Sequence, residues 1–150
     1  DMSGIAFGTT DWSSIDRTEH PGATGVAHWR TQHFGHIRIR MVEYSAGYLA
    51  DHWCSKGHIL LCLEGELHTE LEDGRKFVLK PGMSYQVADH AEPHRSSTSI
   101  PTRLFIVIDR CARHMCPTSR HGAWACENAI NIFTGNFHMN FKNSFFAALG

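Results

Sequence analysis

The sequence lacks several features that would announce a function directly. It has no apolar run approaching the ~20 residues that span a bilayer. It has no block of like charge: Lys and Arg total 14 against 15 for Asp and Glu, a formal net charge of -1. That balance gives no electrostatic reason to expect nucleic acid or an anionic membrane as partner. No G-x-S-x-G nucleophile elbow occurs, and no phosphate-binding or dinucleotide glycine fingerprint. There is no internal repeat and no low-complexity tract. The opening Asp1-Met2-Ser3-Gly4-Ile5 carries neither a basic nor an apolar signal-peptide region, so a cytoplasmic location is expected.

The 150 residues suit one domain with an appendage, and a 42% hydrophobic share is enough for a real core. The 12 histidines stand out, because imidazole serves both metal ligation and proton transfer near neutral pH. The 5 cysteines are an odd number in a chain read as cytosolic. Thiols or metal thiolates are therefore expected in place of a disulfide framework.

Residues 1–24 are mixed and turn-rich. From Gly25 to about Asp109 short strands follow one another, at 26–32, 36–44, 53–63, 66–71, 76–79, 84–88, 94–99 and 102–108. Ala46-Gly47, Glu64-Gly65, Asp73-Gly74, Pro81-Gly82, Glu92-Pro93 and Ile100-Pro101 punctuate them. Such spacing predicts an all-β sandwich or barrel. Residues 59–63, Ile-Leu-Leu-Cys-Leu, are apolar on both faces, which predicts a covered strand and a homodimer. Alternation ceases after Asp109. Residues 1–109 are thus read as the β domain and 110–150 as an appendage. That appendage is partly helical in this reading, with an apolar stripe of Phe137, Phe141, Phe145 and Phe146.

Side chains on a strand alternate faces, and His52, Cys54 and His58 share parity, so a regular strand running through them puts all three on one face. Their soft and borderline donors suit Zn, Fe, Ni or Cu, and not Mg or Ca. His94 opens a later strand and is the expected fourth ligand, with His90 as substitute; Cys54 is otherwise a thiol beside the metal. Cys62 has the same parity but lies in an apolar run and is read as core. Asp51 has the wrong parity for the metal and is expected to orient a ligand.

The run Gly47-x4-His52-x-Cys54-x3-His58-x6-Gly65 resembles the first motif of the cupins, G-x5-H-x-H-x3,4-E-x6-G. The stretch from Pro81-Gly82 to His94 and Thr98 is similar to the second, G-x5-P-x-G-x2-H-x3-N. Asp51-His52-Trp53-Cys54 also resembles a small cupin group named for an Asp-His-Cys-Trp (DHCW) motif. The resemblance covers about residues 5–109. It implies a cupin double-stranded β-helix (jelly-roll) barrel holding one divalent transition metal on His52, Cys54, His58 and His94. Cys54 stands where the family has a histidine and His58 where it has a glutamate, which makes the set softer and favours Zn or Fe(II) over Mn. Cupins include oxygenases, isomerases and lyases as well as non-catalytic binders, so the fold alone names no reaction.

Two functions follow. The first is a metalloenzyme acting on a small polar or carboxylate-bearing molecule. The second is a binding or sensory module with a closed His/Cys site. Coordination number separates them. For substrate contacts, Arg40 either lies on a salt-bridged outer face with Arg38 or points inward as a carboxylate clamp. One of Tyr85 and Gln86 must face the interior. Glu43 and Tyr44 are pocket polar groups or structural ones. The evenly spaced Cys111, Cys116, His121 and Cys126 are a second metal site or incidental thiols.

Overall fold

The computed structural model describes residue 2 and residues 4–110. The appendage expected over 110–150, with its Cys/His set and phenylalanine stripe, lies outside the described residues from 111 onward. A short 3-10 turn, Trp12–Ser14, precedes nine strands: β1 (Thr18–Pro21), β2 (Val26–Phe34), β3 (Ile37–Tyr44), β4 (His58–Glu64), β5 (Leu67–Leu71), β6 (Lys76–Leu79), β7 (Ser84–Val87), β8 (His94–Ser97) and β9 (Thr102–Asp109). They form a six-stranded sheet in the order β1-β2-β3-β9-β4-β7 and a three-stranded sheet in the order β6-β5-β8. Every pairing is antiparallel. Among the described residues no helix is long and apolar enough to cross a membrane.

The core lies between the two sheets. Val42, Leu60, Cys62 and Leu104 come from the larger sheet, and Leu67 and Leu79 from the smaller. Trp29, Tyr44, Tyr85 and Ile106 pack against them. Cys62 is fully buried, as its apolar setting implied. Alternation fixes the rest: Arg38, Arg40 and Tyr44 share the parity of Val42 on β3 and face inward, whereas Ile39, Met41 and Glu43 face outward.

Two departures from the sequence reading matter. Residues 18–21, read as turn, form edge strand β1 against β2. Pro21 is tolerated because it ends an edge strand, where its missing N–H is not needed in the ladder. Residues 53–57 are not part of the strand read over 53–63: β4 begins at His58. Instead the chain before it runs irregularly beside β8, where Leu49 bridges Ser97 and Cys54 bridges His94. Five steps along one segment meet three along the other, and the surplus is taken up as a bend at Asp51-His52.

Gly57 and Gly65 each permit a close approach of another stretch of backbone. A Cβ at Gly57 would sit 2.5 Å from the Asp89 amide nitrogen, and one at Gly65 would sit 2.4 Å from the Pro101 carbonyl oxygen. Gly65 also holds a φ of 81°, a conformation that side chains disfavour.

Candidate metal centre

Three of the four expected ligands converge. One ligand atom each from Cys54, His58 and His94 lies within 4.8 Å of the others. Tetrahedral zinc with ordinary bond lengths needs ligand separations of about 3.4–3.6 Å. Small side-chain rotations therefore suffice to close the set on an ion.

The two sheets supply the trio jointly. Cys54 and His94 face each other as a hydrogen-bonded antiparallel pair: the Cys54 amide donates to the His94 carbonyl at 2.7 Å and the His94 amide to the Cys54 carbonyl at 3.0 Å. That pairing puts both side chains on one face. His58 is the first residue of β4 in the other sheet, and its ring centroid is 4.9 Å from that of His94. Asp89 anchors the approach to His58. It accepts from the Gly57 amide at 2.7 Å and pairs with Lys56 at 3.0 Å.

Both imidazoles are set up as ligands in the same way. Nδ1 of His58 lies 2.9 Å from the Lys56 carbonyl, and Nδ1 of His94 lies 2.9 Å from the Glu92 carbonyl. A carbonyl only accepts, so each Nδ1 carries the proton and each Nε2 presents a lone pair. Nε2 of His94 is buried with no hydrogen-bond partner, a costly state unless something else binds it. Nε2 of His58 lies 2.8 Å from the Tyr85 hydroxyl. Burial, with the nearby His94 and Arg38 adding repulsion against the hydrogen bond to Lys56, pushes the His58 pKa down to about 4. The ring is thus neutral, as ligation requires. These donors fit a borderline or soft divalent ion.

His52 is not gathered into the trio. The Asp51-His52 bend leaves it exposed, with Nδ1 2.5 Å from the Asp51 carboxylate. Asp51 therefore orients His52, and no member of the trio is its partner in this contact. His90, the expected substitute, sits exposed in a turn with a φ of 60°. Among the described residues the cluster has three protein donors.

Two tyrosines lie close to the trio, Tyr85 with its ring beside His58 and His94 and Tyr44 within electrostatic reach of Cys54. Burial raises the Tyr85 pKa, and proximity to Cys54 raises it further, against a hydrogen bond to Ser96. Tyr44 is raised well above the usual value by burial first, then by Tyr48, Tyr85 and Cys54. Both phenols therefore stay protonated and act as hydrogen-bond donors. Gln86 does not share this space: it pairs with Ile59 on the outward face and is exposed, while Tyr85 pairs with Leu60 on the inward face. Glu43 is likewise outward, paired with Arg30 at 2.7 Å and Arg17 at 3.6 Å.

Arg40 lies inward, and its guanidinium carbon stands 3.9 Å above the Trp29 ring. Arg38 lies inward too and is 9% exposed. Sequence reasoning singled out Arg40 alone, although the same period of two carries Arg38 with it. Asp89 was also missed, because nothing in its local sequence marks it as the anchor of a segment 32 residues earlier.

No family model matches the chain, and no curated protein matches it. Solved structures do. An ectoine synthase from P. lautus aligns with a TM-score of 0.58 at 19% identity, over 69% of this chain and 78% of that one. A cupin-superfamily sugar phosphate isomerase from Silicibacter pomeroyi aligns with a TM-score of 0.58 at 16% identity, over 69% and 76%. An RmlC-like cupin from Shewanella frigidimarina aligns with a TM-score of 0.56 at 20% identity, over 75% and 94%. At such identities the likeness speaks for architecture alone, and it agrees with the two-sheet antiparallel β structure: the chain has the cupin fold.

Proposed function

We propose that the protein is a mononuclear metalloenzyme that binds one divalent transition metal on Cys54 Sγ, His58 Nε2 and His94 Nε2, leaving a position open to a small polar or carboxylate-bearing molecule. The carrying observation is the convergence of three donors, one of them a buried imidazole nitrogen with no partner. Zn or Fe(II) suits this set, and Ni or Cu shares the preference for thiolate and imidazole. Such an ion polarises a bound oxygen or lowers the pKa of a bound water. The chain's own residues do the rest. Asp89 and the two Nδ1–carbonyl bonds hold the imidazoles in orientation. Tyr85, whose hydroxyl lies 2.8 Å from His58 Nε2, donates a hydrogen bond to whatever occupies the open position once that nitrogen turns to the metal. A closed sensory site would need a fourth protein donor, and the bend at His52 argues against it.

A homodimer belongs to the same reading. The outward face of the larger sheet carries two apolar rows, Ile39–Val107–Ile59 and Met41–Phe105–Leu61, with Ile59 56% exposed. Gln32, Arg30, Gln86 and Ser84 border them. An apolar centre with a polar rim suits an interface with a second copy. A thiolate ligand also fits the expected reducing, cytoplasmic compartment.

The test is titration of the metal-stripped protein with Co(II). A thiolate-to-cobalt charge-transfer band, absent in Cys54→Ser and shifted by a small anion such as azide, is expected. A band insensitive to added anions would mean a closed site and would favour the sensory alternative.

A further inference from the structure

The smaller sheet holds a buried polar atom that the metal trio does not use. Thr69 is 4% exposed, and its hydroxyl has no hydrogen-bond partner among the described residues. Nε2 of His94 shares that state. A buried hydroxyl left unsatisfied is costly, so it persists where a bound group repays it.

The register places Thr69 beside the metal centre. On β5 it has the parity of the core residue Leu67, so it faces inward. It lies opposite Ser96 on β8, and Leu71 lies opposite His94. The amide and carbonyl of His94 both bond to Cys54, and the Ser96 carbonyl accepts from the Ala50 amide at 2.9 Å. Those backbone groups therefore point away from β5. Thr69 and Ser96 are thus a non-hydrogen-bonded pair, the kind whose side chains lie closest. His94 is the diagonal neighbour of Thr69, about 7–8 Å away at Cα. On the other flank stands Phe77, which offers no polar group.

Hydroxyls connect Thr69 to the trio. The Ser96 hydroxyl is hydrogen-bonded to the phenols of Tyr44 and Tyr85, and the Tyr85 hydroxyl lies 2.8 Å from His58 Nε2. A hydroxyl both donates and accepts. This group therefore suits a neutral hydroxyl or carbonyl of a ligand, whereas a second carboxylate would bring a charge that hydroxyls alone do not match.

We infer that the Thr69 hydroxyl, backed by Ser96, is a second contact point for the ligand of the metal centre, so that the protein takes a short molecule with two oxygen functions: a carboxylate at the open coordination position and a hydroxyl or carbonyl, a few bonds away, on Thr69. The inference rests on the proposed metal site for the first end. The orphaned Thr69 hydroxyl is independent of it.

Titration of the cobalt-loaded full chain with propionate, 2-hydroxypropionate and 3-hydroxypropionate, read from the cobalt absorption band, tests it. In wild type at least one hydroxy acid is expected to bind at least fivefold more tightly than propionate. Thr69→Val should remove that gain and leave propionate within twofold of wild type, and Thr69→Ser should keep the gain. In the metal-free protein Thr69→Val should unfold at the same urea midpoint as wild type or a higher one, because it deletes a hydroxyl without a partner. No gain in wild type, or an equal gain in Thr69→Val, would overturn the contact, the latter showing that the hydroxyl merely chelates the metal. A lower midpoint for Thr69→Val would also overturn it, by showing that the hydroxyl already has a partner in the fold. A cobalt band that depends on Cys54 while the gain ignores Thr69 sinks this inference alone, and absence of such a band sinks the metal reading and this inference with it.

Discussion

The side chains of His58 and His94 are committed before any ion arrives. Each places Nδ1 against a carbonyl two residues earlier in the chain, so the ring's tautomer and its angle are fixed by local backbone. This pattern is invisible to spacing rules, which gave His58 and His94 as candidates but equally gave His52. The direct consequence concerns pH. In the folded metal-free protein the His58 pKa sits at about 4 against 6.5 for an ordinary histidine. Protonation therefore favours the unfolded chain. The stability that a neutral His58 preserves is intact above pH 6.5 and is lost as pH falls toward 4. With the group largely buried, the loss is about 3 kcal/mol. Urea unfolding of metal-free wild type and His58→Gln at pH 7.5 and 4.5 should show wild type losing that much more than the variant. Equal losses would mean that His58 is already charged in the fold.

At the level of elements, the site depends on how the chain passes from the smaller sheet to the larger one between Cys54 and His58. Gly57 makes that passage against residues 87–89, and Asp89 fastens it. Gly57→Ala places a methyl into backbone at 2.5 Å and is expected to cost about 2–3 kcal/mol, comparable to other overpacked sites. It should also weaken metal binding at least tenfold, since it displaces the residue that leads into His58. Thermal denaturation and competition with a chelator would measure both, and an unperturbed affinity would show that His58 is positioned by other contacts. Most strands were legible because alternation and turn residues mark them, as at Lys76–Leu79, which the sequence reading bounded without error. The stretch 53–57 was misread for a physical reason. Ligand-rich residues at alternate positions mimic a strand, while the two-residue surplus that ejects His52 depends on pairing with His94, some 40 positions away.

For the molecule as a whole, the cupin fold was readable from the glycines and histidines of two motifs, whereas the interior lining was not. Binary patterning tells which residues share a face but not which face is inside. Arg38 and Arg40 become interior only once Val42 is seen to be buried. The outward apolar rows carry a prediction at this scale. Light scattering should give a dimer mass for wild type, and Ile59→Asp with Val107→Asp should give a monomer that keeps its metal. A doubly substituted chain that remains dimeric would place the interface elsewhere.

The most direct test of the metal centre is elemental analysis of purified wild type beside Cys54→Ala, His58→Ala, His94→Ala and His52→Ala. A single transition-metal ion per chain is predicted for wild type and for His52→Ala, and its loss in the other three. Loss in His52→Ala to the same degree would contradict the three-donor site and restore a closed four-ligand one, and absence of metal from every sample after reconstitution would refute the centre itself.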